Sequence, residues 1–359
     1  MSLLINQRVL LERVKARFKR EIIQRITTEE LHITSLTYGP LASELSFQSK
    51  KLYSKQTVVE IQHHRDGFIQ GHLFQERRLF DVENVILDVV SGIFFTDGRK
   101  IVEESSSWPS LNLLLNSIPK PPKVNLLPNL QAPQVISISS NGFYHWLIED
   151  LAPLIFAHNE FPDSTILVSE NAPIYVKTFV EKYYSNIKFV PRFVHLEHYT
   201  FVSRGPDTEW VHPQDISTLR NFFASSMKRT IIDRKIYIPR VNSSRSPAFE
   251  KELVLKLIKA GWVILETQGL SLVEQIEAIS SAETVCGVHG AGLAGMVWMA
   301  ANTTVIELSP RNFVPCFSRL SAICNQSYFR IPYEDDELKN EDQIFSEIEA
   351  ILSKESFSG

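Results

Sequence analysis

Cysteine is scarce. Three of them in 359 residues, Cys286, Cys316 and Cys324, build no disulfide framework. None stands in a CxxC pair or a Cys/His cluster of the kind that binds zinc. A reducing compartment is the expectation. Excess positive charge is also missing: 37 Lys and Arg face 41 Asp and Glu, for a net charge of −4. Nucleic-acid-binding domains are basic, so no nucleic-acid partner is expected. No run reaches the roughly 18 apolar residues of a membrane span. Charges from Arg8 onward interrupt any signal-peptide core, which points to a cytoplasmic location. There is no GxxxxGK(S/T) phosphate loop, no D-x-D to hold a divalent ion, and no fixed-period repeat. Glycine is sparse too, at 14 residues, yet four fall within GVHGAGLAG at 287–295. That local concentration needs a reason.

The chain itself is globular in composition, 44% hydrophobic and 22% charged. Its length suits two domains. Residues 8–26, RVLLERVKARFKREIIQRI, read as an amphipathic helix with Leu10, Val14, Phe18, Ile22 and Ile26 on one stripe. Such a basic helix docks on its own domain or a second subunit, or lies on an anionic membrane surface as a peripheral contact. From 30 to 105, TVVEIQ, FIQGHLF, NVILDVV and GIFFTDG are strand-like. A proline-rich connector covers 119–133. From 134 the rhythm becomes α/β, with Ser140 or Asn141 as cap of a helix starting near Gly142. In the second half strands and helices alternate through RKIYIPR, FEKELVLKLIKAG, WVILE, LSLVEQIEAISSA, ETVCGVHG, AGLAGMVWMA and TTVIEL. That alternation implies a parallel sheet with helices on both faces. The expected boundaries are 1–29, 30–213, 214–335 and a C-terminal helix over 336–359.

Three motifs carry chemistry. In ETVCGVHGAGLAG a strand enters a glycine turn and a helix start. Gly287, Gly290, Ala291, Gly292 and Leu293 let a ligand approach backbone N–H groups, an arrangement suited to phosphate. His289 adds a side-chain donor. The bland alternative is that these glycines only permit close helix–strand packing. The turn is not a dinucleotide fingerprint, because it lies late in the domain. Fifteen residues beyond Gly292, Glu307 lies near the end of TTVIEL, where a carboxylate can accept both hydroxyls of a ribose. In YIPRVNSSR, Arg240 and Arg245 follow a strand, with Ser243 and Ser244 beside them. Arginine forks match phosphate geometry. In NGFYHWLIEDLAP, His145 and Glu149 share a helix face at i,i+4, and either can take a proton from an attacking hydroxyl. Asp150 is the third candidate, turned about 140° away on an α-helix. Tyr144 and Trp146 offer a sugar-stacking surface, and Phe313 or Trp262 a stack for a base. The plain alternative is an amphipathic helix whose His and Glu merely pair.

With these residues in hand, the chain resembles glycosyltransferase family 61. GFYHWLIEDLAPL, IYIPRVNSSR and GVHGAGLAGMVWMAANTTVIEL carry the likeness over roughly 85–310. The resemblance implies a GT-B-like α/β fold: two Rossmann-like domains facing across a cleft, with extra β-strands near the N-terminus. Residues 30–213 would then be the acceptor side and 214–335 the nucleotide-sugar-binding domain. It implies inverting transfer without a metal or other cofactor, from a nucleotide sugar expected to be UDP-linked. The acceptor would be a glycan or lipid-linked glycan of surface or capsular polysaccharide. Glu149 is expected as base, with His145 orienting it, and Glu307 on the ribose. The sequence departs from the family pattern in LAG after the turn and AANTT before the last strand. The other readings are a non-catalytic glycan or nucleotide-sugar binding protein, and a Rossmann-type oxidoreductase.

Overall fold

A computed structural model describes residues 78–96, 122–132, 135–139, 142–202, 211–228, 232–240, 246–310, 314–333 and 341–355. It also gives strand backbone at 25–26, 48–51, 56–63, 67–74 and 101–102. Contacts divide the chain into two units. One comprises Met1–Lys55 and Gln75–Thr208; the other comprises Gln56–Phe74 and Glu209–Gly359.

The first unit combines a large mixed sheet with a small parallel one. Strands β1 (Arg25–Ile26), β2 (Gln48–Lys51), β5 (Arg78–Asp88), β6 (Ile93–Thr96), β7 (Ile101–Val102), β8 (Asn129–Leu130) and β12 (Phe193–Val202) form the seven-stranded sheet. Its order is β1-β7-β6-β5-β12-β8, with β2 also beside β5. Strands β3 (Gln56–His63) and β4 (Gly67–Phe74) pair as a separate antiparallel hairpin, grouped with the second unit. Strands β9 (Val135–Ser137), β10 (Thr165–Ser169) and β11 (Ile187–Val190) are parallel in the order β11-β10-β9. Helix α1 (Phe143–Glu160) links β9 to β10, and α2 (Ile174–Tyr183) links β10 to β11. Parallel neighbours need such crossovers. In β12, Val194 and Leu196 are buried while His195 and Glu197 face outward and bond Asn129 and Gln131. This is the period-two alternation of a sheet with one buried face. Val85, Leu87, Phe94, Val194 and Leu196 share one core with Val135 and Leu167, so the two sheets pack on each other. At the β5–β6 turn, fully buried Asp88 accepts the guanidinium of Arg192 at 2.9–3.2 Å and the N–H of Val90 at 3.1 Å.

The second unit is a parallel α/β layer structure. Its elements are α3 (Pro213–Phe222), β13 (Ile232–Ile238), α4 (Glu250–Lys259), β14 (Val263–Ile264), α5 (Leu272–Ile279), β15 (Ala282–Val288), β16 (Thr304–Pro310), α6 (Cys316–Ile323), β17 (Ser327–Tyr333) and α7 (Glu341–Glu355). The sheet order is β14-β13-β15-β16-β17, all parallel. Numbered within this unit it reads 2-1-3-4-5. The strand order therefore reverses between β13 and β15. In β15 and β16 nearly every residue is buried, as in a sheet covered on both faces. Leu253 and Leu257 bury one side of α4, which ends where Gly261 takes a φ of +83°. Ser271 and Glu274 form a reciprocal capping box that starts α5.

The α/β class is what the sequence pattern implies. Several local expectations change. Arg25–Ile26, the end of the expected 8–26 helix, pairs as a strand with Ile101–Val102; residues 8–24 lie outside the described residues. The cap position of α1 holds Gly142 at φ +95°, while Ser140 and Asn141 lie outside the described residues. WVILE contributes only Val263–Ile264 to the sheet. AGLAGMVWMA is an eight-residue 3-10 helix, Ala291–Trp298, and not an α-helix. In the first unit only β9–β11 form an all-parallel sheet; in the larger sheet β1–β7 and β12–β8 pair in parallel and the other pairs are antiparallel. Among the described residues no helix is long and apolar enough to cross a membrane.

Candidate active site

In open parallel sheets, ligands sit beyond the carboxyl ends of the strands where the strand order reverses. In the second unit that point lies between β13 and β15. A cavity of about 200 Å³ occupies it, lined by Ile238–Arg240 after β13, Glu266–Gln268 after β14, and Val288 with Gly290–Leu293 after β15. Three successive strand ends thus meet in one concavity.

The glycine turn is shaped by close approach. A Cβ on Gly287 would lie 2.9 Å from the Ile238 carbonyl oxygen, and one on Gly292 would lie 2.9 Å from the Ile238 side chain. Gly287 therefore serves strand packing, while Gly290, Ala291, Gly292 and Leu293 form a cavity wall. Leu293 N–H bonds the Gly290 carbonyl at 3.0 Å, the first bond of the 3-10 helix. The amides of Ala291 and Gly292 precede that ladder, as donors at a helix start do. Arg220 fixes the other end by donating to the carbonyls of Val297 at 2.6 Å and Met299 at 2.8 Å. Arg240 is held from two sides. Its N–H donates to buried Glu250 at 2.8 Å, and its Nη1 donates to the His289 carbonyl. Glu250 also takes the Tyr237 hydroxyl at 3.0 Å. A cation is thus anchored at the cavity, beside two backbone donors. Ser244 and Arg245 lie outside the described residues, as do Ser243 and Phe313.

Glu307 departs from expectation. It is not at a strand end: β16 runs on to Pro310, and Glu307 pairs laterally with Gly287 and Arg330. It is fully buried. One carboxylate oxygen bonds His289 Nδ1 and the other takes the Tyr328 hydroxyl. Burial, followed by the Glu307 charge, pushes the Tyr328 hydroxyl far above its ordinary range, so it remains a donor. With both oxygens engaged inside the protein, Glu307 presents no surface to a ribose. It orients the His289 ring instead, with Nδ1 directed inward. Trp262 is likewise buried in the core beside α4 and offers no face to a base.

The first unit holds the second motif. Helix α1 begins as α-helix at Phe143–His145, widens to a π-helical turn at Trp146–Asp150 and returns to α-helix at Leu151–Glu160. Such turns gather at functional sites. His145 Nδ1 lies 3.0 Å from Glu149 Oε2; the histidine side chain is 45% exposed and the glutamate 9%. Nδ1 is thus engaged with the carboxylate, and the exposed group is the imidazole. Asp150 is buried, and the Ser139 hydroxyl donates to it. It also lines a small cavity with Ser137, Pro153 and Tyr199. Tyr144 and Trp146 are buried as well. Trp146 packs 5.0 Å from Tyr175 and 5.6 Å from Phe179 between ring centroids, so the expected sugar-stacking surface is core.

Residues 143–306 match the family described as Glycosyltransferase 61. This segment is a glycosyltransferase 61 domain. It opens at the first residue of α1 and closes within β16, so it contains the His145–Glu149 pair, Arg240, the 266–268 loop and the glycine turn. Among solved structures, the chain is similar to the E. coli heptosyltransferase WaaC with ADP. The identity is 12%, over 62% of this chain and 98% of that one, with a TM-score of 0.33. No curated protein matches. Sequence reasoning missed Glu266, Thr267, Gln268, Glu250 and Tyr328 in this glycosyltransferase. The only signal for the first three was their place at the end of WVILE and just beyond it, and its use requires the strand order.

Proposed function

We propose that this glycosyltransferase moves a sugar, with inversion and without a metal, from a nucleoside-diphosphate sugar to a hydroxyl of a glycan acceptor, on a GT-B-type architecture. The observation that carries the reading is the cavity at the strand-order reversal, with Arg240 and the Ala291 and Gly292 amides on its wall. Charge grows on the diphosphate as the glycosidic bond breaks. Fixed donors aimed at that charge lower the barrier. His289, its Nδ1 held by Glu307, supplies a further donor at the rim of the glycine turn when its imidazole is protonated.

The base is assigned to His145 in place of Glu149. The imidazole is the exposed partner of the pair, and Glu149 holds its Nδ1. Nε2 takes the proton as the acceptor oxygen attacks the anomeric carbon, and Glu149 stabilises the imidazolium that forms. The acceptor belongs to surface polysaccharide, free or lipid-linked. In the same reading the enzyme works in the cytoplasm, and basic residues 8–26 offer a peripheral contact to an anionic membrane surface.

The test is separate titration of UDP, GDP, CMP and ADP, following the melting temperature. A ligand that binds only the folded state stabilises it by about 2.7 kcal/mol at a hundredfold excess over its Kd. One nucleotide, UDP by expectation, raises the melting temperature, and Arg240→Ala removes the rise. His145→Ala keeps the rise but loses at least about 100-fold in turnover. If no nucleotide shifts the transition, with or without magnesium, the donor site is wrong. Near-normal turnover in His145→Ala would reassign the base.

A further inference from the structure

The cavity has a second wall that neither the glycine turn nor Arg240 explains. After β14, Glu266, Thr267 and Gln268 turn into it. This loop is built, not slack. Leu265 N–H bonds the Tyr237 carbonyl at 2.8 Å, tying the start of the loop to β13. Gln275 Nε2 reaches back from α5 to the carbonyls of Thr267 at 3.4 Å and Leu270 at 3.1 Å. The Ser271–Glu274 capping box fixes the far end. Thr267 Oγ1 lies 3.6 Å from where a Cβ on Gly292 would stand, so the loop closes against the glycine turn itself.

We propose that Glu266 holds the ribose of the donor, accepting hydrogen bonds from its 2′- and 3′-hydroxyls, in the role the sequence pattern gives to Glu307. The assignment rests on the donor-site reading above. Charge order supports it. Strand β13 lies between β14 and β15, so Arg240 stands between the Glu266 loop and the glycine turn. Adjacent strands are spaced about 4.8 Å apart, which puts the loops flanking Arg240 on the order of 10 Å apart. A ligand spanning them meets backbone donors and a cation at one end and a carboxylate at the other. The carboxylate repels phosphate and only accepts hydrogen bonds, so it suits a neutral group with paired donors. A nucleoside diphosphate has this sequence: anionic diphosphate, then a vicinal diol. Dinucleotide folds use a carboxylate beyond the second strand in the same way. Glu307 cannot compete, because it is fully buried and both its oxygens are bonded within the protein.

The experiment compares ribose with deoxyribose. Calorimetric titration of the whole chain uses UDP against 2′-deoxy-UDP, with the GDP and ADP pairs run alongside. Wild type prefers the ribonucleotide by about tenfold, the worth of one hydrogen bond to a charged group. Glu266→Ala binds the two equally, its loss falling more heavily on the ribonucleotide, which gives up two hydrogen bonds where the deoxynucleotide gives up one, and Glu266→Gln falls between. Glu266 is exposed, so these variants fold, and an unchanged melting temperature without ligand checks it. If Glu266→Ala binds nucleotide and still discriminates, Glu266 is not the ribose ligand. If wild type binds none of the six nucleotides, the donor site itself is wrong and this assignment goes with it.

Discussion

At the scale of the residue, the Glu307 carboxylate is fully buried and bonded through both oxygens. It is enclosed by protein, and an acid in that position is stable only while its oxygens are served. Tyr328 serves one of them. Tyr328→Phe removes only that hydroxyl and leaves the ring in the core. The expected result is a loss of about 1–3 kcal/mol in unfolding free energy, measured by urea denaturation. An unchanged midpoint would mean that the oxygen finds another donor. Glu307 also marks where sequence reading stops. Its identity and its distance from the glycine turn were legible, and both suggested a ligand. Its burial was not, because that depends on β16 continuing to Pro310 and on Tyr328 arriving from the next strand. Arg240 was read from its place after KIYIP and does line the cavity.

At the scale of the element, helix α1 repeats the lesson with a different outcome. The i,i+4 spacing of His145 and Glu149 predicts their contact, and they touch. The π-helical turn was invisible, since WLIED has no composition that distinguishes it from α-helix. The same holds for Ala291–Trp298, whose apolar run names a buried helix but not its 3-10 winding. Farther along α1, His158 stacks edge-on against Tyr184 at 4.6 Å between centroids. Burial holds its pKa below the usual histidine value, and Asp163 opposes that only in part. The unfolded chain therefore takes up the proton first as pH falls. The stability that goes with the neutral imidazole is fully present above about pH 6.5 and is lost as pH drops through the lower folded value. A melting temperature followed from pH 7.5 to 5 falls in that window, and His158→Gln flattens the part of the slope it owns. A slope of the same size in the variant would assign the effect to other groups.

At the scale of the whole molecule, the three cysteines act as a reporter of one half. All are free and buried, and all belong to the second unit. Burial pushes the Cys324 thiol up to about 11 and the Cys286 thiol higher still. Thiolate is the reactive form. A thiol reagent at pH 8 is expected to label none of the three in native protein and all three in denaturant, counted by mass spectrometry. Rapid native labelling of any one would show that the second unit opens locally. Because the first unit has no cysteine, the labelling rate follows opening of the second unit alone. The alternation of strands and helices made this unit legible. The placement of β3 and β4 with it was not, since residues 75–208 separate them in sequence from the rest of the unit.

That hairpin has a consequence for synthesis. The ribosome delivers Gln56–Phe74 before it has made any other part of the unit to which the hairpin belongs. All of Gln75–Thr208 must follow before Glu209 emerges. At roughly 5–20 residues per second, this takes on the order of ten seconds. A lone two-stranded hairpin is marginal in water. The nascent chain thus carries an unfinished piece of the second unit through the entire translation of Gln75–Thr208.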